Sequence, residues 1–148
     1  CCNVTEILAS ILADLYHAFE DKGWECQVDL NEELDSMVDP VALRRVFENL
    51  LGNMLKHGSG DIRIKRFENT LDFSNAIEAE SEIDESRVFE RFYRGDSARG
   101  KTGAGLGLAA VKQLCELMGI AVRAIVSDDV FSISLVFNLA ECSRYRKS

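Results

Sequence analysis

From Val130 to Phe137 the chain alternates strictly, with Phe131, Ile133, Leu135 and Phe137 set against Ser132 and Ser134. Successive strand side chains point to opposite faces, so this strand is apolar on one face and polar on the other. A sheet of such strands needs cover on one side only. The same period recurs in Ile62 and Ile64 against Arg63 and Lys65, and around Leu71 and Phe73. It recurs again in Trp24, Cys26, Val28 and Leu30 against Glu25, Gln27 and Asp29. Hairpins are expected about Glu68-Asn69 and about Ser127-Asp128-Asp129, the latter joining 120–126 to 130–137. A short strand is expected at 36–38, after an acidic loop at 31–35.

The cover comes from three amphipathic helices. Val4, Ile7, Leu8, Ile11, Leu12, Leu15 and Phe19 recur at helical spacing and predict a helix over 3–21, with Asn3 as cap and Gly23 past its end. Asp39-Pro40 starts a second, running to about Lys56 with Leu43, Val46, Phe47, Leu50, Leu51 and Met54 inward. A third runs from Gly107 to Met118 and stops at Gly119. The expected fold class is α+β, a two-layer sandwich of three helices on one face of a mixed, mostly antiparallel sheet. Residues 75–102 carry no such periodicity and are expected to form a lid or binding loop within a single domain spanning 1–148.

Composition narrows the function classes. The 148 residues are 47% apolar with a net charge of −8, which argues against a nucleic-acid surface. No apolar run approaches the roughly 20 residues of a membrane span, so no direct membrane contact is expected. The five cysteines lack metal spacing; Cys26 and Cys115 fall on apolar faces and read as buried, reduced thiols in a cytoplasmic setting. The chain opens Cys1-Cys2-Asn3 without a methionine or signal peptide, as expected of a piece of a longer protein.

Two groups of residues carry chemistry. In Lys101-Thr102-Gly103-Ala104-Gly105-Leu106-Gly107-Leu108, alternate glycines bare the backbone just before a helix start. Free N–H groups and the positive end of the helix dipole would make this an anion seat, most often for phosphate. On the second helix Asn49, Asn53, Lys56 and His57 share one stripe. Asparagine is a poor helix-interior residue. Two of them in register with a lysine suggest an amide oxygen for a hard cation and a charge for phosphate, against a plainly solvated face. The octet Gly95–Thr102 also matches the P-loop pattern G-x-x-x-x-G-K-[ST], which requires a strand before it and a helix at the Lys-Thr. Glu90–Arg94 are not strand-like, and glycines follow where that helix would begin.

Taken in order, Arg45–His57, Phe89–Asp96 and Gly103–Leu108 resemble the N, F and G2 boxes of the ATP-binding catalytic domain of sensor histidine kinases. That domain belongs to the wider family of gyrase and the heat-shock chaperone ATPases, with a Bergerat-type fold. The resemblance implies that the chain binds ATP with Mg²⁺ and passes the γ-phosphoryl group to a histidine on its own dimerisation domain, for onward transfer to a response regulator. It implies a monomeric fragment of a homodimeric, membrane-bound sensor. By position, Asn53 would hold Mg²⁺, Lys56 would contact phosphate, and His57 would lie near adenine and ribose. Arg94 would reach the terminal phosphate, Phe89 and Phe92 would anchor the lid, and the Gly103–Gly107 backbone would cradle the phosphates, with Lys101, Thr102, Ala104, Leu106 and Leu108 among the nucleotide-binding residues. Asn49 stands where hydrolytic relatives carry a glutamate that activates water, and an amide cannot act as a base.

The resemblance departs at two points. Fourteen residues before Phe89, where the family's G1 box reads Asp-x-Gly-x-Gly, stand Asn75-Ala76-Ile77-Glu78-Ala79. Asn75 would replace the aspartate that takes the adenine amino group, with Asp72 as a fallback on the outer face of its strand. The lost glycines leave a second reading, a non-catalytic signalling module of the same fold. His17 lacks the acidic neighbour of a phosphoacceptor and reads as an exposed structural histidine.

Overall fold

The structure is a computed structural model describing residues 2–30, 33–77, 87–90 and 108–138. Its order is β1 (Cys2–Asn3), α1 (Val4–Asp21), β2 (Cys26–Asp29), β3 (Asp35–Ser36), α2 (Pro40–His57), β4 (Gly60–Phe67), β5 (Thr70–Ala76), α3 (Leu108–Leu117), β6 (Ala121–Ser127) and β7 (Val130–Val136). Five strands form the main sheet in the order β2-β4-β5-β7-β6; only β2 and β4 are parallel. Three helices cover one face, giving the expected α+β sandwich.

Local chemistry sets the helix starts. The Asn3 side chain accepts from the Glu6 amide at 3.0 Å, and Asp39 Oδ1 accepts from the amides of Val41 and Ala42 at 2.9 and 3.4 Å. Each satisfies donors that a first helical turn leaves open. Pro40 then opens α2, where its missing N–H costs nothing.

The strand pattern decides the core. Ile62, Ile64, Leu71, Phe73, Phe131, Ile133 and Leu135 are buried against Leu8, Ile11, Leu43, Phe47, Leu51, Val111 and Cys115. At its centre the rings of Phe47 and Phe73 lie 5.9 Å apart, locking α2 onto β5. Burial of each contributes about 2 kcal/mol. The hairpin turns place Glu68 at φ 54° and Asp128 at φ 54°, in the left-handed region that tight two-residue loops demand.

Three local expectations change. β2 is shorter than the alternation from Trp24 to Leu30 suggests, and Val28 is 44% exposed, because β2 is an edge strand with one neighbour. The short strand after the acidic loop begins at Asp35 rather than Ser36. It pairs antiparallel with β1, and Ser36 Oγ donates 3.1 Å to the Asn138 carbonyl.

Candidate functional site

Four of the six described candidate residues, Asn49, Asn53, Lys56 and His57, lie on α2, which packs against both α1 and α3. Asn49 is half-buried, Asn53 buried and Lys56 exposed, while His57 is half-buried and already engaged with a neighbour. Asn53 is 7% exposed, and its Oδ1 has no hydrogen-bond partner among the described residues. An acceptor buried without a partner costs about 1–3 kcal/mol. A helix-interior asparagine therefore carries a double penalty here, from propensity and from desolvation.

The donor chemistry fits a hard cation. A neutral amide oxygen is a normal ligand for Mg²⁺, which keeps several waters and takes few protein ligands. No group of three or more His, Cys, Asp or Glu side chains among the described residues offers an alternative metal site. Lys56, one turn on and exposed, leaves its cation available to an anion.

β5 supplies the second part. Asn75 follows Leu71 and Phe73 on the helix-side face and is 4% exposed. Its Nδ2 donates 2.9 Å to the Ala76 carbonyl. Gly58, at the end of α2, approaches it so closely that a Cβ there would sit 2.8 Å from Asn75 Nδ2. Asn75 is thus held beside the last turn of α2. Asp72 faces the other side of the sheet, where Ser134 Oγ donates to its Oδ1 at 2.8 Å. The fallback carboxylate therefore points away from α2. Ile77, in place of the first expected glycine, is buried at 5%, and its amide donates 2.7 Å to the Asp129 carbonyl.

A third part comes from residues 87–90. Val88 is 1% exposed, and the Lys112 ammonium of α3 lies 5.5 Å from the centre of the partly buried Phe89 ring. Sequence reasoning named Phe89 as the anchor and missed Val88, whose charged neighbours hide it from any periodicity. It missed Gly58 as well, since that contact joins positions distant in the chain. Leu108 is buried at the first turn of α3. Arg94, Lys101, Thr102, Gly103, Ala104, Gly105, Leu106 and Gly107 lie outside the described residues, as do Phe92, Ala79 and the Gly95–Thr102 octet.

His17 is exposed, 3.8 Å from Glu20 on the same face of α1. Cys115 is buried as expected, whereas Cys26, on the edge strand, is only half-buried; burial pushes the Cys26 thiol up, and burial with the Glu116 charge pushes Cys115 up to about 12. Among the described residues no helix is long and apolar enough to cross a membrane.

Comparison with known proteins places these features. Residues 38–140 match the family described as histidine kinase-, DNA gyrase B- and HSP90-like ATPase. The sensor histidine kinase YcbM of Bacillus subtilis is 31% identical over 129 residues, and the match covers 79% of this chain and 40% of that protein. The swarming motility regulation sensor protein RssA of Serratia marcescens is 32% identical over 131 residues, covering 84% of this chain and 28% of that one. The chain thus spans well under half the length of these relatives. In fold it is similar to the catalytic domain of histidine kinase ThkA, with a TM-score of 0.68 at 18% identity over 92% of this chain and 93% of that one. The chain belongs to the histidine kinase-, DNA gyrase B- and HSP90-like ATPase family.

Proposed function

We propose that this chain is the nucleotide-binding catalytic domain of a sensor histidine kinase. It binds ATP with Mg²⁺ and transfers the γ-phosphoryl group to a histidine on an adjoining dimerisation domain of the same protein. A response regulator is the next acceptor. The observation that carries this reading is the buried, unpartnered Oδ1 of Asn53. No described residue offers that atom a hydrogen bond, whereas a hard cation bound with a nucleotide would occupy it.

The division of labour follows from the side-chain chemistry. Asn53 would hold the cation, which when bound supplies charge neutralisation to the phosphates. Lys56 would contribute a cation of its own, with Arg94 reaching the terminal phosphate and the Gly103–Gly107 backbone cradling the phosphate chain. Phosphoryl transfer asks mainly for positioning and charge stabilisation, so a site of amides, cations and backbone N–H groups suffices. Asn49 cannot take a proton from water, which favours transfer to a protein acceptor over hydrolysis. Asn75 and His57 would line the base and ribose end.

The test is thermal melting with a non-hydrolysable ATP analogue, with and without Mg²⁺. A rise in melting temperature that needs both ligand and metal supports the proposal. No rise at millimolar ligand leaves the non-catalytic module as the reading.

A further inference from the structure

Residues 87–90 form a turn that holds itself together. The Glu90 amide donates 2.9 Å to the Arg87 carbonyl, and the Arg87 guanidinium reaches both Glu90 carboxylate oxygens at 3.2 and 3.3 Å. That ion pair is exposed and adds little to stability, but it ties one end of the turn to the other. Val88, 1% exposed, enters the core. Beside it Phe89 is partly buried, and the Lys112 ammonium stands 5.5 Å from the centre of its ring.

Lys112 lies one turn past Leu108, the first residue of α3. Helical side chains lean toward the helix start, which brings the Lys112 stem back over the opening turn. The contact therefore joins residues 87–90 to the N-terminal end of α3. These are the two described segments that border 91–107.

We infer that Lys112 is a positioning residue, whose cation fastens the 87–90 turn to the start of α3 through the Phe89 ring. The fastening sets the two ends from which the proposed phosphate-binding residues extend. The inference rests on the nucleotide-binding reading above. An ammonium over an aromatic face at an exposed site shifts an equilibrium by about two- to fivefold. Ends held in place beforehand reduce the entropy that ligand binding must otherwise overcome, so up to that factor passes to nucleotide affinity. Lys112 acts through Phe89 and not as a phosphate ligand.

The experiment is a double-mutant cycle. Lys112→Met keeps an unbranched side chain and removes the charge, Lys112→Arg keeps a cation, and Phe89→Leu removes the ring and keeps apolar bulk. Without ligand, Lys112→Met should lower the melting temperature by about 2 °C, and should leave it unchanged in the Phe89→Leu background. Calorimetry with Mg²⁺ and a non-hydrolysable ATP analogue should show Lys112→Met binding about two- to fivefold more weakly. Lys112→Arg should restore that affinity, and in the Phe89→Leu background Lys112→Met should change nothing. An equal loss with and without the ring overturns the inference, since the cation would then act on the phosphates directly. Coupled melting with unchanged affinity also overturns it, leaving a contact that serves the fold alone. A wild type that binds no analogue overturns the nucleotide-binding reading and the positioning role together, and the melting cycle alone then decides whether Lys112 fastens the turn.

Discussion

Asn69 and Phe137 are bonded to each other twice. The Phe137 amide donates 2.8 Å to the Asn69 carbonyl, and Asn69 Nδ2 donates 2.7 Å to the Phe137 carbonyl. The turn between β4 and β5 is thereby clamped to the end of β7, in the middle of the sheet that positions Asn75.

Asn69→Ala removes one of these two bonds and keeps the backbone one. Urea unfolding should show a loss of about 1 kcal/mol at unchanged m-value. An unchanged midpoint would mean that the side-chain bond adds nothing to the clamp.

Asp39 should matter through α2, which carries the candidate cation ligand. Asp39→Ala leaves the Val41 and Ala42 amides without their acceptor and should cost about 1 kcal/mol, most of it recovered by Asp39→Asn. Equal losses in the two variants would point to charge rather than capping.

Much of this fold is legible in the sequence because its signals are local. The caps at Asn3 and Asp39, the stop at Gly119 and the strict alternation of β7 each depend on neighbours within a few positions. The pairing of β1 with β3 was not legible, since two residues carry no periodicity. Nor was the exposure of Val28, which depends on β2 lying at the edge. In the site, the register of Asn49, Asn53 and Lys56 was readable from spacing alone. That Asn53 Oδ1 lacks a partner among the described residues, and that Gly58 closely approaches Asn75, are tertiary facts with no local trace.

Asp72 and Asn75 are three positions apart on opposite faces of β5, which separates their roles. Asp72→Ala removes the bond from Ser134 Oγ and should cost about 1 kcal/mol of stability. The affinity for Mg²⁺ and nucleotide should stay as in wild type by calorimetry. A tenfold loss would make Asp72 the base-reading carboxylate after all.

Cys115 gives the fold a dependence on alkaline pH. Its thiol ordinarily ionises at 9.0 and is pushed up to about 12 by burial first and the Glu116 charge second. A raised folded value means that the stabilisation is complete below the unfolded pKa and is lost as pH climbs from 9.0 towards 12. Melting temperature should therefore fall more steeply above that point in wild type than in Cys115→Ala. Parallel pH profiles would contradict the burial of this thiol.

The central claim is that Asn53 is buried, with its Oδ1 unpartnered among the described residues, for the sake of a metal-bound nucleotide. Asn53→Leu keeps the approximate shape and removes the unpartnered acceptor, so the chain without ligand should gain about 1–2 kcal/mol in urea unfolding. Calorimetry of the same variant with Mg²⁺ and a non-hydrolysable ATP analogue should give no binding under conditions where wild type binds. Tighter folding with binding lost is the predicted result. Binding equal to wild type would contradict it.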